Sequence, residues 1–177
     1  MARPLEESDL AAYTEHFVRH MGESGRDGDS HFGPYSRDEA FDLAELLERN
    51  RVRWSTPLDA VGWRRAWGIF DDGTIVASAY VAGAGIESSL HRVTLGISVL
   101  RAYRRRGMGE ELLSDVVSWC RERPEIDWLD LGVFGGNLPA QAFFRKHGFR
   151  ETGRVADLFR VDGVKIDDIA MTMSVSG

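Results

Sequence analysis

The run Val93-Thr-Leu-Gly-Ile-Ser-Val-Leu-Arg-Ala-Tyr-Arg-Arg-Arg-Gly-Met-Gly-Glu-Glu-Leu-Leu-Ser-Asp-Val-Val-Ser-Trp-Cys120 decides the fold. Its first part alternates, with Val93, Leu95, Ile97 and Val99 on one side and Thr94, Gly96 and Ser98 on the other, which is the period of a strand. After Gly109 the apolar residues Leu112, Leu113, Val116, Val117 and Cys120 recur at helical spacing. Between strand and helix lie Arg104, Arg105, Arg106, Gly107, Met108 and Gly109. The first N–H groups of such a helix have no partner within it, and glycine lets a ligand approach them. The helix dipole favours an anion at the same point. Arg101 to Gly109 holds four arginines and no acid in a chain of net charge −6. The stretch reads as a pyrophosphate cradle, against the plainer reading of an ordinary βα turn with solvated arginines. No lysine follows the glycines as a Walker loop requires, and Leu112 stands where a dinucleotide fingerprint needs its third glycine.

Outward from this junction the chain divides into elements. Ser8 or Asp9 caps a helix to about His20, with Leu10, Tyr13, Phe17 and Met21 as its expected buried side. Gly22 to Pro34 holds four glycines and a proline, which exclude a regular element and suggest a functional loop over a substrate. Ser36 and Glu39 form a capping-box pattern that predicts a second helix, with Phe41, Ala44 and Leu47 on one face, fading by about Arg51. Ala66–Phe70 and Thr74–Ala82 read as strands joined at Asp71-Asp72-Gly73. Past the central helix, closed by Pro124, a strand runs from Trp128 to Phe134. Gly135-Gly136-Asn137 then turns into a helix from Leu138 to His147 that Gly148 stops. Strands follow over Phe149–Val155 and Lys165–Val175, the latter paired near Phe159 across Asp162-Gly163. The fold class is α/β (α+β), with a mixed, mostly antiparallel central sheet flanked by helices.

A length of 177 residues suits one domain, with residues 1–60 as a variable helical lead and 66–174 as the core. Apolar content of 43% and charged content of 28% are those of a soluble globular chain. With Cys120 as sole cysteine and no apolar leader or membrane-length run, a cytoplasmic location is expected. The negative charge argues against nucleic acid as a partner and suits a cationic small substrate.

These residues resemble the GNAT superfamily of acyl-CoA-dependent N-acyltransferases. The family's phosphate motif stands as Arg104-x-x-Gly107-x-Gly109, approached by Val99 and Tyr103. Its second block stands as Leu131-x-Val133, Asn137-x-x-Ala140, Phe143-Phe144 and Gly148-Phe149, about thirty residues on. A closing Asp168-x-x-Met171 also matches. The resemblance implies acetyl-CoA as cosubstrate, lying between two splayed strands, and no metal. It places the pantetheine arm along Ile97, Ser98 and Val99, and the pyrophosphate on the N–H groups of Arg104, Arg105, Arg106, Gly107, Met108, Gly109 and Glu110. Asn137, Ala140 and Phe144 would lie across the splay. The implied reaction is direct attack by a primary amine of a small molecule or protein on the thioester. No membrane partner is expected, and a homodimer is left open.

Two chemical positions depart from the family. Phe144 stands where many members carry a tyrosine that acts as acid toward the sulfur. Val93 stands where some carry a carboxylate base; His91 and Glu87, upstream on the same side, are the candidate bases. These departures are what support an alternative, a non-catalytic acyl-CoA-binding or sensing module on the same fold. Cys120 falls on the apolar helix face and reads as a core thiol. His16 and His20 have i,i+4 spacing but lack a third zinc ligand. His147 reads as a helix C-terminal residue, and Trp54, Trp63 and Trp67 as core or interface. Asp167 and Asp168 would either meet a cationic substrate or end a solvated strand.

Overall fold

In a computed structural model, residues 1–176 are described. The chain runs β1 (Arg3–Pro4), α1 (Leu10–Met21), α2 (Leu43–Ser55), β2 (Arg64–Asp71), β3 (Thr74–Gly83), β4 (Arg92–Val99), α3 (Met108–Arg121), β5 (Trp128–Phe134), α4 (Leu138–Lys146), β6 (Arg150–Val161) and β7 (Val164–Ser174). The strands form one sheet in the order β1-β2-β3-β4-β5-β7-β6. Every neighbouring pair is antiparallel except β4–β5. A parallel pair needs a crossover, and α3 supplies it.

The period of two in the strands separates two layers. Trp67, Val93, Leu95, Leu131 and Val133 bury against Leu112, Leu113, Val116 and Cys120 of α3, with Phe144 and Phe149 in the same cluster. Ala66 and Ile75 face the other way and pack with Tyr13 of α1. Leu112 and Val116 are fully buried, so truncating either to alanine would cost about 2–5 kcal/mol. Trp63 and Trp67 are core residues as expected, and Cys120 is fully buried, its thiol pushed up to about 12 by burial.

The hairpin turns sit where glycine and aspartate place them. Asp72 and Gly73, like Asp162 and Gly163, take left-handed backbone, the pairing a tight antiparallel turn demands. Phe159 pairs with Ile166 as expected, but β6 is longer than the sequence suggests and slips register between Val155 and Phe159. A short strand, β1, pairs with β2 where no strand was expected.

Two helix expectations need correction. The Ser36–Glu39 pattern opens no helix, because Ser36 Oγ donates to Asp162 Oδ1 at 2.7 Å instead. Asp42 caps α2, accepting from the N–H groups of Ala44 and Glu45. The helix then buries Leu46 and Asn50, leaves Ala44 exposed and continues to Ser55. In α1 the buried side is Leu10, Tyr13, Thr14, His16 and His20, with Phe17 and Met21 half-buried. Two histidines therefore point inward, and both find a polar or aromatic reason to do so.

Candidate functional site

Along β4 and β5 only Arg92, Val93 and Thr94 pair with Trp128, Leu129 and Asp130. Beyond that point the strands part, while β4 stays paired to β3 through Val99 and β5 to β7 through Phe134. The facing edges of Leu95–Val99 and of 131–134 are thus free to accept an extended ligand as an inserted strand.

The cradle lies at the open end of this splay. Gly107 caps α3 with φ +80° and no side-chain hydrogen bond. Glu111 N–H reaches Gly107 O at 3.0 Å, which leaves the N–H groups of Met108, Gly109 and Glu110 without an intrahelical acceptor. Arg105 also takes a left-handed backbone, φ +60°. For a non-glycine residue that conformation costs about 1–2 kcal/mol. Left-handed residues alternating with ordinary ones turn successive N–H groups inward to form an anion nest. A Cβ on Gly107 would meet nothing within 4 Å, so the space above it is open. Donors, dipole and room all fit a pyrophosphate. A groove of about 630 Å³ runs on from Glu110 past Ser114, Val117 and His147 to Met173, wide enough for the rest of a nucleotide-bearing cofactor.

The arginines divide their work. Arg104 Nη1 donates to Asp29 Oδ2 at 2.7 Å, and its Nη2 lies 3.2 Å from Glu23 Oε2. Arg101 reaches Asp29 and Asp27, and its backbone N–H donates to Glu23. Burial alone raises the Asp29 carboxyl, but the Arg104 and Arg101 hydrogen bonds outweigh it and hold it below the ordinary range. Two of the four arginines therefore bind the loop after α1. That loop crosses the ends of β4 and β5 as a strap: Ser30 Oγ donates to Gly136 O, and Ser36 and Arg37 hold Asp162. The acids at 23, 27 and 29, interleaved with glycine opposite an arginine cluster, are the signal in the sequence that marks this latch.

Ser98, expected along the cofactor arm, belongs to a network missed in the sequence. His16 Nδ1 lies 2.9 Å from Ile75 O, an acceptor only, so Nδ1 carries the hydrogen. His16 Nε2 then accepts from Ser98 Oγ at 2.8 Å, and Ser78 Oγ stands 2.9 Å from Ser98 Oγ. Burial lowers His16 to about 4. It lowers His20 to about 3, with His16 and Arg104 adding to the effect. Both rings are neutral near pH 7; His20 packs on Phe32 of the strap.

The other expected site residues fall in separate places. Glu87, in a single 3-10 turn, and His91, just before β4, are both exposed, His91 about 20 Å of strand away from Ile97. Asn137 Oδ1 accepts from Ala140 N–H, capping α4 just after β5, the strand on the other side of the splay. Phe144 is buried against Phe143 and Phe149 and offers no hydroxyl. His147 ends α4 as expected. Asp167 lines a cavity of about 260 Å³ with His31, Gly135, Gly136, Arg154, Val164, Lys165 and Ile166. Burial raises the carboxyl of Asp168.

The family model described as acetyltransferase (GNAT) family matches residues 30–149, which takes in the splay, the cradle and the strap from Ser30 onward. The chain belongs to the GNAT acetyltransferase family. A curated relative, L-amino acid N-acetyltransferase AaaT of Escherichia coli (strain K12), is 27% identical over 82 residues, 46% of this chain. The chain spans about half the length of that relative, 51%. Among solved structures, a candidate acetyltransferase of Salmonella typhimurium, determined with its cofactor acetyl-CoA, superposes with a TM-score of 0.80 at 17% identity. That likeness covers 100% of this chain and 94% of the other. A GNAT phosphinothricin acetyltransferase of Sinorhizobium meliloti, in complex with acetyl-CoA, gives 0.79 at 18%, over 99% and 88% of the two chains. The GNAT fold is thereby shared over nearly the whole chain. Among the described residues no helix is long and apolar enough to cross a membrane.

Proposed function

We propose that this GNAT protein is an acetyl-CoA-dependent N-acetyltransferase that acetylates a primary amine. The observation that carries the reading is the uncapped N-terminus of α3, with left-handed Arg105 and Gly107, opening onto the splay of β4 and β5. The N–H groups from Arg105 to Glu110 would hold the pyrophosphate, with Arg106 at the rim. The free edges of Ile97 to Val99 would pair with the pantetheine arm, and Asn137 would face it from β5. Acetyl-CoA supplies the activated thioester. The residues of the chain bind and orient it, and the strap closes the splay mouth against water. With phenylalanine at 144, the departing thiolate takes its proton from water, a tolerable arrangement for so good a leaving group. The curated relative acts, by its name, on L-amino acids.

Calorimetry with acetyl-CoA tests this directly, with Gly107→Val as the control. Valine at φ +80° is strained by about 1–2 kcal/mol and relaxes by turning the nest N–H groups away. Wild type should bind acetyl-CoA at micromolar affinity or better, and the folded variant at least a hundredfold more weakly. A folded Gly107→Val protein with wild-type affinity would place the phosphate site elsewhere.

A further inference from the structure

The last pair that closes β4 on β5 is Thr94 with Asp130. Two residues further along each strand, where the gap has opened, stand Gly96 and Gly132. Both lie on the face of the sheet away from α3, because Leu95 and Leu131, one residue earlier on each strand, pack in the α3 cluster. Each glycine carries a side chain from the next strand out. Tyr80 of β3 is the direct partner of Gly96, and a Cβ on Gly96 would lie 2.5 Å from its Cζ and 2.9 Å from its hydroxyl oxygen. Asp168 of β7 pairs with Phe134 but leans back along β5, so that a Cβ on Gly132 would lie 2.8 Å from its Oδ1. The absence of a side chain at 96 and 132 lets Tyr80 and Asp168 lie across the two strands that border the gap, one on either side.

This end of the gap is closed in its other directions. In the plane of the sheet the Thr94–Asp130 pair shuts it. On the α3 face Leu95, Leu112, Leu113, Val116 and Leu131 pack together, each at most 5% exposed. The opposite face is open, since Thr94 and Gly132 are exposed there. A group that reaches the narrow end along the free edge of β4 can therefore extend only between Tyr80 and Asp168. The Tyr80 wall is held in place. The Arg64 guanidinium stands 4.2 Å from its ring centroid, and Arg64 Nη1 lies 3.4 Å from Oδ1 of the buried Asn50. The Asp168 wall is a carboxylate, from which an apolar chain would strip water at a cost.

We propose that Tyr80 and Asp168 gate the acyl end of the splay, and that the Tyr80 ring restricts the bound thioester to acetyl in preference to longer chains. The inference rests on the acetyltransferase reading and adds to it the residue that selects the group transferred. An arm that runs from the nest along Val99 to Leu95 brings its thioester to the narrow end, beside Gly96. The acetyl methyl stays within the gap. A butyryl chain has to rise out of it, into the ring or the carboxylate. The open face is also the side from which an amine reaches the carbonyl, so a chain turned outward would block the acceptor's path. In the sequence Gly96 and Gly132 are two strand glycines among many. Their common distance from the last β4–β5 pair appears only when the strands are set in register.

The test is calorimetry with CoA, acetyl-CoA, butyryl-CoA and hexanoyl-CoA, which needs no acceptor. For wild type, Tyr80→Ala, Tyr80→Leu and Tyr80→Phe, the Kd of each thioester is divided by the Kd of CoA in the same protein. In wild type acetyl-CoA should match CoA within about threefold. The two longer thioesters should bind at least about tenfold more weakly, the scale on which a fixed wall rejects extra methylenes. Tyr80→Ala should bring butyryl-CoA within about threefold of acetyl-CoA. Tyr80→Leu, which keeps an apolar contact with the Tyr13 cluster, should do the same and serves if the alanine variant does not fold. Tyr80→Phe retains the ring and should retain the barrier. Equal affinity of wild type for acetyl-CoA and hexanoyl-CoA overturns the inference while the cofactor reading stands. So does a tenfold barrier that survives in a folded alanine or leucine variant, or one that is lost in Tyr80→Phe. Wild type that binds neither CoA nor acetyl-CoA sinks the underlying reading instead.

Discussion

At the scale of single residues, the histidines of α1 show how burial sets chemistry. His16 and His20 were visible in the sequence only as an i,i+4 pair. Their solvation depends on what the sheet brings against them, Ile75 and Ser98 for one and Phe32 for the other. Both native pKa values lie below the ordinary 6.5, at about 4 and about 3. Between these values and 6.5 the unfolded chain binds more protons than the native one, so stability rises with pH across that window and is lost as pH falls. Each histidine should contribute a slope approaching 1.4 kcal/mol per pH unit below about pH 6. Among the described residues the His20 ring makes no hydrogen bond, so His20→Phe removes one titration without orphaning a partner. Urea unfolding between pH 6.5 and 5 should show wild type losing stability steeply and His20→Phe less so. A flat wild-type profile over that range would mean these rings are hydrated in solution.

At the scale of elements, what the sequence made legible was what local periodicity encodes. β5 has the expected ends, Trp128 and Phe134, because alternation and the flanking glycines are local signals. The cradle was legible for the same reason: glycine spacing, arginines and helix start are contiguous. The strap was read as a loop but not as a latch. Its order comes from Glu23, Asp27 and Asp29 meeting Arg101 and Arg104 more than seventy residues on, and such pairing leaves no period. The false helix start at Ser36 has the same origin, since a distant Asp162 outcompeted the local cap. These ion pairs are part-exposed and each alone is weak, so the latch holds as a network. Glu23→Gln with Asp29→Asn should make residues 22–42 the first site of proteolysis. It should also raise the KM of the amine several-fold more than that of acetyl-CoA. Equal effects on both constants would tie the strap to the cofactor instead of the acceptor.

For the whole molecule, the splay is a seam. One half of the sheet, β1 to β4, meets the other, β5, β7 and β6, through three residue pairs, the α3 packing and the strap. A cofactor lying between Leu95–Val99 and residues 131–134 would restore main-chain pairing along the rest of that seam and anchor it at the cradle. Binding to the native state alone stabilises by mass action, about 2.7 kcal/mol at a hundredfold excess over Kd. For a domain of this size that is a rise in Tm on the order of 6–10 °C. Position distinguishes this seam from a generic ligand effect. Amide exchange should slow most at the facing edges of β4 and β5 and at Arg105 to Glu110, and little at the distant β2–β3 hairpin turn of Asp72 and Gly73. CoA without its acetyl group should reproduce most of the shift, because the pyrophosphate and pantetheine arm supply the contacts. If acetyl-CoA and CoA both leave Tm and exchange unchanged, the free edges are not a cofactor slot. The seam would then be a plain defect of strand pairing, bridged by α3 and the strap.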